Sequence, residues 1–147
     1  MPPNQEESLD KVHRDHSYLL ELITRIKAVC SEAGQLQSCH ECQHSRHHMC
    51  HSDTEQLIRT FVEATLKHNF IESMYMVDFA PEEHQIAHNR AHKEIAKQLK
   101  TIKETFSENR DCVQAIEGID SIHATLSSHF KEYDQALEQY MSAPLAA

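Results

Sequence analysis

Histidine occupies thirteen of the 147 positions, beside 23 acidic and 14 basic side chains. Residues four apart on a helix share a face, so His68 with Glu72, and His88 with His92, form two pairs of metal ligands. Imidazole with carboxylate suits Fe, Zn, Cu or Mn better than Mg or Ca, and spacing does not choose among the first four. His16 and His129 join these pairs if the chain is an antiparallel bundle, since residues at one height lie symmetrically about the turn joining their helices. The midpoint of Glu72 and His88 is residue 80, beside Pro81; that of His92 and His129 falls between Arg110 and Asp111; that of His16 and His68 is Cys42. With a rise of about 1.5 Å per residue, all six side chains reach one level of an up-down-up-down four-helix bundle. Groups this polar are too costly to bury unpaired, so a shared inward level points to a metal site. Bridging two metals needs a second carboxylate. Asp134, about 140° further round an ideal helix than His129, and Glu132 both remain open on geometry.

Four segments must position these groups, and the hydrophobic periodicity supplies them. The first runs over about residues 5–33, from a capping box of Asn4 and Glu7 through Leu9, Val12, Leu19, Leu20, Ile23 and Ile26 to a stop at Gly34. The second starts at a capping box of Ser52 and Glu55 and carries Leu57, Ile58, Phe61, Val62, Leu66, Phe70 and Ile71 to about Asp78. Pro81, with Glu82 and Glu83, suits the first turn of a third helix that runs through Ile86, Ala91, Ile95, Leu99 and Ile102 to about Ser107. After a polar turn, Val113, Ile116, Ile119, Ile122, Leu126, Phe130 and Leu137 form a fourth, with Gly118 a tolerated weak point, ending before Pro144. Residues 34–51 read as a Cys/His-rich insertion and 142–147 as a tail or the start of a linker. Met74, Met76, Phe61, Phe70, Phe79 and Phe130 read as core packing.

Composition bounds the function. Only two Gly and four Pro with 39% hydrophobic residues suit one all-α domain spanning residues 1–147. A formal charge of −9, with no basic stripe, argues against nucleic acid and anionic membranes as partners. No run approaches the roughly 18 apolar residues of a spanning helix, and no basic segment followed by an apolar one opens the chain, so a cytoplasmic protein is expected.

The ordered set resembles a family, the hemerythrins, and specifically bacterial hemerythrin-like domains, over roughly residues 9–140. The resemblance rests on His16 followed by Leu19, Leu20 and Ile23, on His68-x-x-x-Glu72 with Met76, on His88-x-x-x-His92, and on His129-x-x-x-x-Asp134. It implies a non-haem di-iron centre. His88, His92 and His129 would bind one iron, His16 and His68 the other, with Glu72, Asp134 and an oxo or hydroxo group bridging. The resemblance thus selects Asp134 over Glu132. It leaves the second iron one open position, where dioxygen would bind. The chain departs from the short bacterial forms in its insertion between His16 and His68 and in carrying Phe79, Ala80 and Pro81 where the family has Tyr-Pro.

Five clustered cysteines in a reducing compartment suggest thiols or metal ligands. Cys39-x-x-Cys42 and Cys50, with Cys30 or a neighbouring histidine as a fourth ligand, resemble an irregular zinc site, on the order of 24 Å along the bundle from the di-iron level; Cys112 lies at the same end. His13, His84 and His123 fall outside the ligand pattern. Ligands without an added catalytic set favour a non-enzymatic oxygen or redox sensor reporting to a signalling partner or output domain. A di-iron oxidase, peroxidase or nitric oxide-handling enzyme is the alternative, and a zinc-binding structural module a third.

Overall fold

The computed structural model describes residues 3–30, 39, 42 and 47–143. It is all-helical: α1 (Pro3–Ala28), α2 (His47–Phe79), α3 (Glu82–Asn109) and α4 (Cys112–His129), the last continuing through a π-helical turn (Phe130–Asp134) into α5 (Gln135–Ser142). Two short connections fix the antiparallel neighbours. Pro81, extended at ψ 158°, caps α3 without a side-chain bond. Across the other connection, Arg110 takes a left-handed φ of 55° and returns its N–H to the Phe106 carbonyl at 2.8 Å. That strained conformation is held by its guanidinium, 2.9 Å from Glu55 and 5.2 Å above the Phe106 ring. Asp111 then caps α4 by accepting the Gln114 N–H.

The contacts establish an up-down-up-down four-helix bundle. At one end Val12 clusters with Met76, Leu137 and Met141; at the other Thr54 touches Cys112 and Arg110 reaches Glu55. Between these ends the larger core packs Leu22, Ile26, Phe61, Leu99, Ile119 and Leu126 into a continuous apolar column. Each such burial contributes about 1.5–3 kcal/mol, and the column offsets the cost of the polar layer described below. That layer lies between the two apolar clusters.

Several boundaries and faces differ from expectation. Helix α1 ends at Ala28 rather than near residue 33, and the expected stop at Gly34 lies outside the described residues. Helix α2 starts at His47, so the last five residues of the supposed insertion are helical and Ser52 with Glu55 stands inside the helix, not at its cap. The Val29 to Cys30 segment turns away after a Val29 N–H to Ile26 carbonyl bond. Leu66, Phe70, Met74 and Ile86 are exposed, not core. Periodicity alone assigned them inward, but a helix in a four-membered bundle buries one stripe, and that stripe on α2 runs through Ile58, Phe61, Thr65, His68, Glu72 and Met76. No helix among the described residues is long and apolar enough to cross a membrane.

Candidate metal centre

Helix α2 contributes His68 and Glu72 one turn apart, α3 contributes His88 and His92 one turn apart, α1 contributes His16, and α4 ends in His129. Asp134 would stand off this level in a regular helix. The π turn between His129 and Asp134 widens the spacing to five residues per hydrogen-bonded loop and turns both side chains to the same interior side. Asp134 is 1% exposed there, whereas Glu132 is exposed on the rim of a groove. Of the two acidic candidates, the structure brings Asp134 into the layer.

The donor atoms fall into two groups, each confined within 4.8 Å. In the first, Asp134 Oδ1 lies 2.9 Å from His88 Nε2 and 3.0 Å from His129 Nε2, while Glu72 Oε1 lies 3.1 Å from His92 Nε2 and 3.6 Å from His88 Nε2. In the second, Asp134 Oδ2 lies 2.8 Å from His16 Nε2, and Glu72 Oε2 lies 3.5 Å from His68 Nε2 and 3.9 Å from His16 Nε2. Each carboxylate therefore gives one oxygen to each group of imidazoles. Ligands bonded at about 2.0–2.2 Å to one ion stand roughly 3 Å apart, which is the spacing found.

The alignment supports the same use. Both Asp134 oxygens, Glu72 Oε2, His16 Nε2 and His68 Nε2 are buried without an aligned hydrogen-bond partner among the described residues, although opposite partners lie within 4 Å. Atoms that crowd one another with poor hydrogen-bond alignment fit donors around a cation, and leaving them so in an apolar column would otherwise be expensive.

Other side chains hold the rings. Asp15 Oδ2 lies 3.0 Å from His68 Nδ1, and His84 Nε2 lies 2.9 Å from His88 Nδ1; partners on the far nitrogen fix which nitrogen faces a metal. The His16 ring stacks on Phe130 at 3.9 Å between centroids, and Tyr133 tilts over His88 and His129 at 5.5 and 5.3 Å. His84 carried a signal, standing four residues before His88, but it contacts His88 from outside both donor groups. Asp15 carried none: it pairs across helices with a residue 53 positions away. His13 pairs with Glu138 at the surface at 2.8 Å.

Electrostatics in the metal-free layer is dominated by these contacts. Burial pushes the carboxyl groups of Glu72 and Asp134 up, but the close imidazoles of His68, His88 and His92 around Glu72, and of His129, His16 and His88 around Asp134, hold both well below the usual carboxylate range. Burial opposes charge on His68 too, yet Glu72, Asp15 and Asp134 raise it to about 9. His92 stays below its ordinary value because burial outweighs Glu72. The layer also meets the surface. A groove of about 600 Å³ is lined by Ala91, Ile95, Ser128, Glu132 and Tyr133 and also by His129.

The expected cysteine site is reorganised. Cys39 and Cys112 meet His51, all three donor atoms within 4.8 Å, whereas Cys42, Cys30 and Cys50 are not in that group. No disulfide joins any of the five cysteines, and Cys30 and Cys50 pack against the main core. Pairing by sequence proximity fails because Cys39 is tied to the start of α4, its N–H donating to Asp111 Oδ1 at 3.1 Å. His40 and His44 lie outside the described residues, as do the side chains of His47 and His48.

The buried His/Glu/Asp cluster has the composition and geometry to bind metal. No protein-family model, no curated protein and no solved structure matches this chain.

Proposed function

We propose that the chain is a hemerythrin-like, non-haem di-iron domain that binds dioxygen and serves as an oxygen or redox sensor for a signalling partner. The observation that carries this reading is the division of Glu72 and Asp134, one oxygen of each facing His88, His92 and His129 and the other facing His16 and His68. Two ions bridged by two carboxylates use that arrangement fully; a single ion leaves half of it idle. Five donors serve the first group and four the second, so the open position belongs on the His16 and His68 side. Iron bound there would supply a redox-active centre with a vacant position for a small diatomic ligand.

The chain's own residues do the rest. Asp15 and His84 orient the rings of His68 and His88, and Phe130 against His16, with Met76 and Val12 nearby, keeps the layer apolar on its flank. An apolar flank of this kind suits reversible ligation, since it keeps from that side the protons and water that drive irreversible oxidation. Among the described side chains around the layer, no nucleophile and base are set apart from the ligands as a catalytic pair, which favours binding over turnover.

The test is metal content with the absorption spectrum of protein reduced without oxygen and then exposed to it. Two irons per chain and a charge-transfer band that forms with oxygen and reverses on its removal are expected. Zinc alone, or iron that oxidises once with no reversible band, refutes the reading. Continued consumption of oxygen, peroxide or nitric oxide with an electron donor would make the centre an enzyme instead.

A further inference from the structure

At the far end of the bundle a second cluster has donors the di-iron reading does not use. Seventeen residues of helix, roughly 25 Å at 1.5 Å each, separate Cys112 from His129. Cys39 is 8% and Cys112 0% exposed, and His51 on the first turns of α2 closes the group. From Cys39, Cys112 and His51 we infer a thiolate-rich site for a single zinc ion that fastens the segment between α1 and α2 to the start of α4.

Hydrogen bonding around the sulfurs points the same way. The Cys112 N–H, at the open N-terminal turn of α4, donates to Cys39 Sγ at 2.8 Å, and the Thr54 hydroxyl donates to Cys112 Sγ at 3.3 Å. Both sulfurs accept a hydrogen bond, as a metal-bound thiolate does. The positive end of α4 further favours negative charge on them. A dication of thiophilic character displaces the two thiol protons to solvent as two metal–sulfur bonds form. Two sulfurs and an imidazole select zinc over hard cations. The fourth corner of a tetrahedron is left to water or to one of Cys30 and Cys50, both close enough to influence Cys112.

Cobalt(II) is the optical stand-in for zinc. Titrated into the metal-stripped, thiol-reduced chain, it should produce a sulfur-to-metal charge-transfer band in the near ultraviolet that added Zn²⁺ abolishes. The imidazole and carboxylate layer contains no sulfur, so this band reports only on the second site and stands or falls independently of the di-iron reading. The band should vanish in Cys39→Ser and in Cys112→Ser and persist in Cys42→Ser. His51→Ala, at a half-buried position, should weaken zinc binding about 10-fold or more while the helical circular dichroism is kept. Zinc should also raise the Tm of the wild type. A wild-type chain with no such band overturns the inference, as does a band that survives both serine variants. Loss of two thiols in air with no cobalt uptake overturns it as well, the pair then being a disulfide.

Discussion

Replacing Glu72 with Gln keeps the shape of the buried layer and removes one charge from it. In the metal-free protein, burial depresses His68, but contacts led by Glu72 lift it to about 9 from an ordinary 6.5. That gap corresponds to roughly 3 kcal/mol of preference for the charged ring, most of it owed to Glu72. Because the folded value lies above the unfolded one, this contribution is complete below about pH 6.5 and is lost as pH rises through 9. Glu72 behaves oppositely. Burial raises it but its three imidazoles hold it low, so its contribution is present above about pH 4.5 and lost only in stronger acid. The stability gap between wild type and Glu72→Gln should therefore be widest, about 2–3 kcal/mol, near pH 5–6 and should shrink steadily toward pH 9. Urea midpoints measured in the presence of a chelator across this range, at unchanged m, provide the assay. A gap that stays flat or grows between pH 6 and 9 would refute a charged, Glu72-paired His68.

Further consequences are open to measurement. Asp134→Ala should lower bound metal to one ion per chain or fewer, while Glu132→Ala leaves the stoichiometry at the wild-type value; elemental analysis of the two proteins decides. Asp111→Ala removes both the cap of α4 and the acceptor for the Cys39 N–H, and should cost about 1–2 kcal/mol in thermal or urea unfolding. At Gly118 an added Cβ would come within 3.1 Å of Ile102 Cγ1, so the helix-propensity gain of Gly118→Ala, about 1 kcal/mol, should be largely spent on moving Ile102 and leave Tm nearly unchanged.

The level of the ligand layer could be read from the chain because it depends only on a constant helical rise and on where turns fall. Pro81 and the Arg110 to Asp111 pair are local signals of those turns, and they place His68, Glu72, His88, His92 and His129 without any knowledge of packing. Faces were harder. Leu66, Phe70 and Met74 are as hydrophobic as their buried neighbours, and only the position of the other three helices tells which stripe of α2 turns inward. The start of α2 was hidden for a related reason: His47 to His51 has one strong helix former, Met49, and no recognised cap, and gains its order from joining a long helix packed on the core. Asp15 and the union of Cys39 with Cys112 and His51 arise from contacts between distant segments, for which spacing in the chain gives no rule. Asp134 needed a departure from regular helix geometry that composition does not announce.

The wide turn at Phe130–Asp134 separates two properties that a regular helix would tie together. Inward positions step by three or four residues through Ile122, Leu126 and His129, take one stride of five to Asp134, and resume with Leu137 and Met141. One additional residue is absorbed locally, and the downstream helix still delivers its apolar side chains to the same neighbours. The turn works as a vernier between scaffold and ligand set. Changes of length or sequence confined to those five residues can retune the reach and angle of the Asp134 carboxylate against the facing histidines while the rest of the bundle packs as before, so the geometry of the cluster is free to drift without renegotiating the fold.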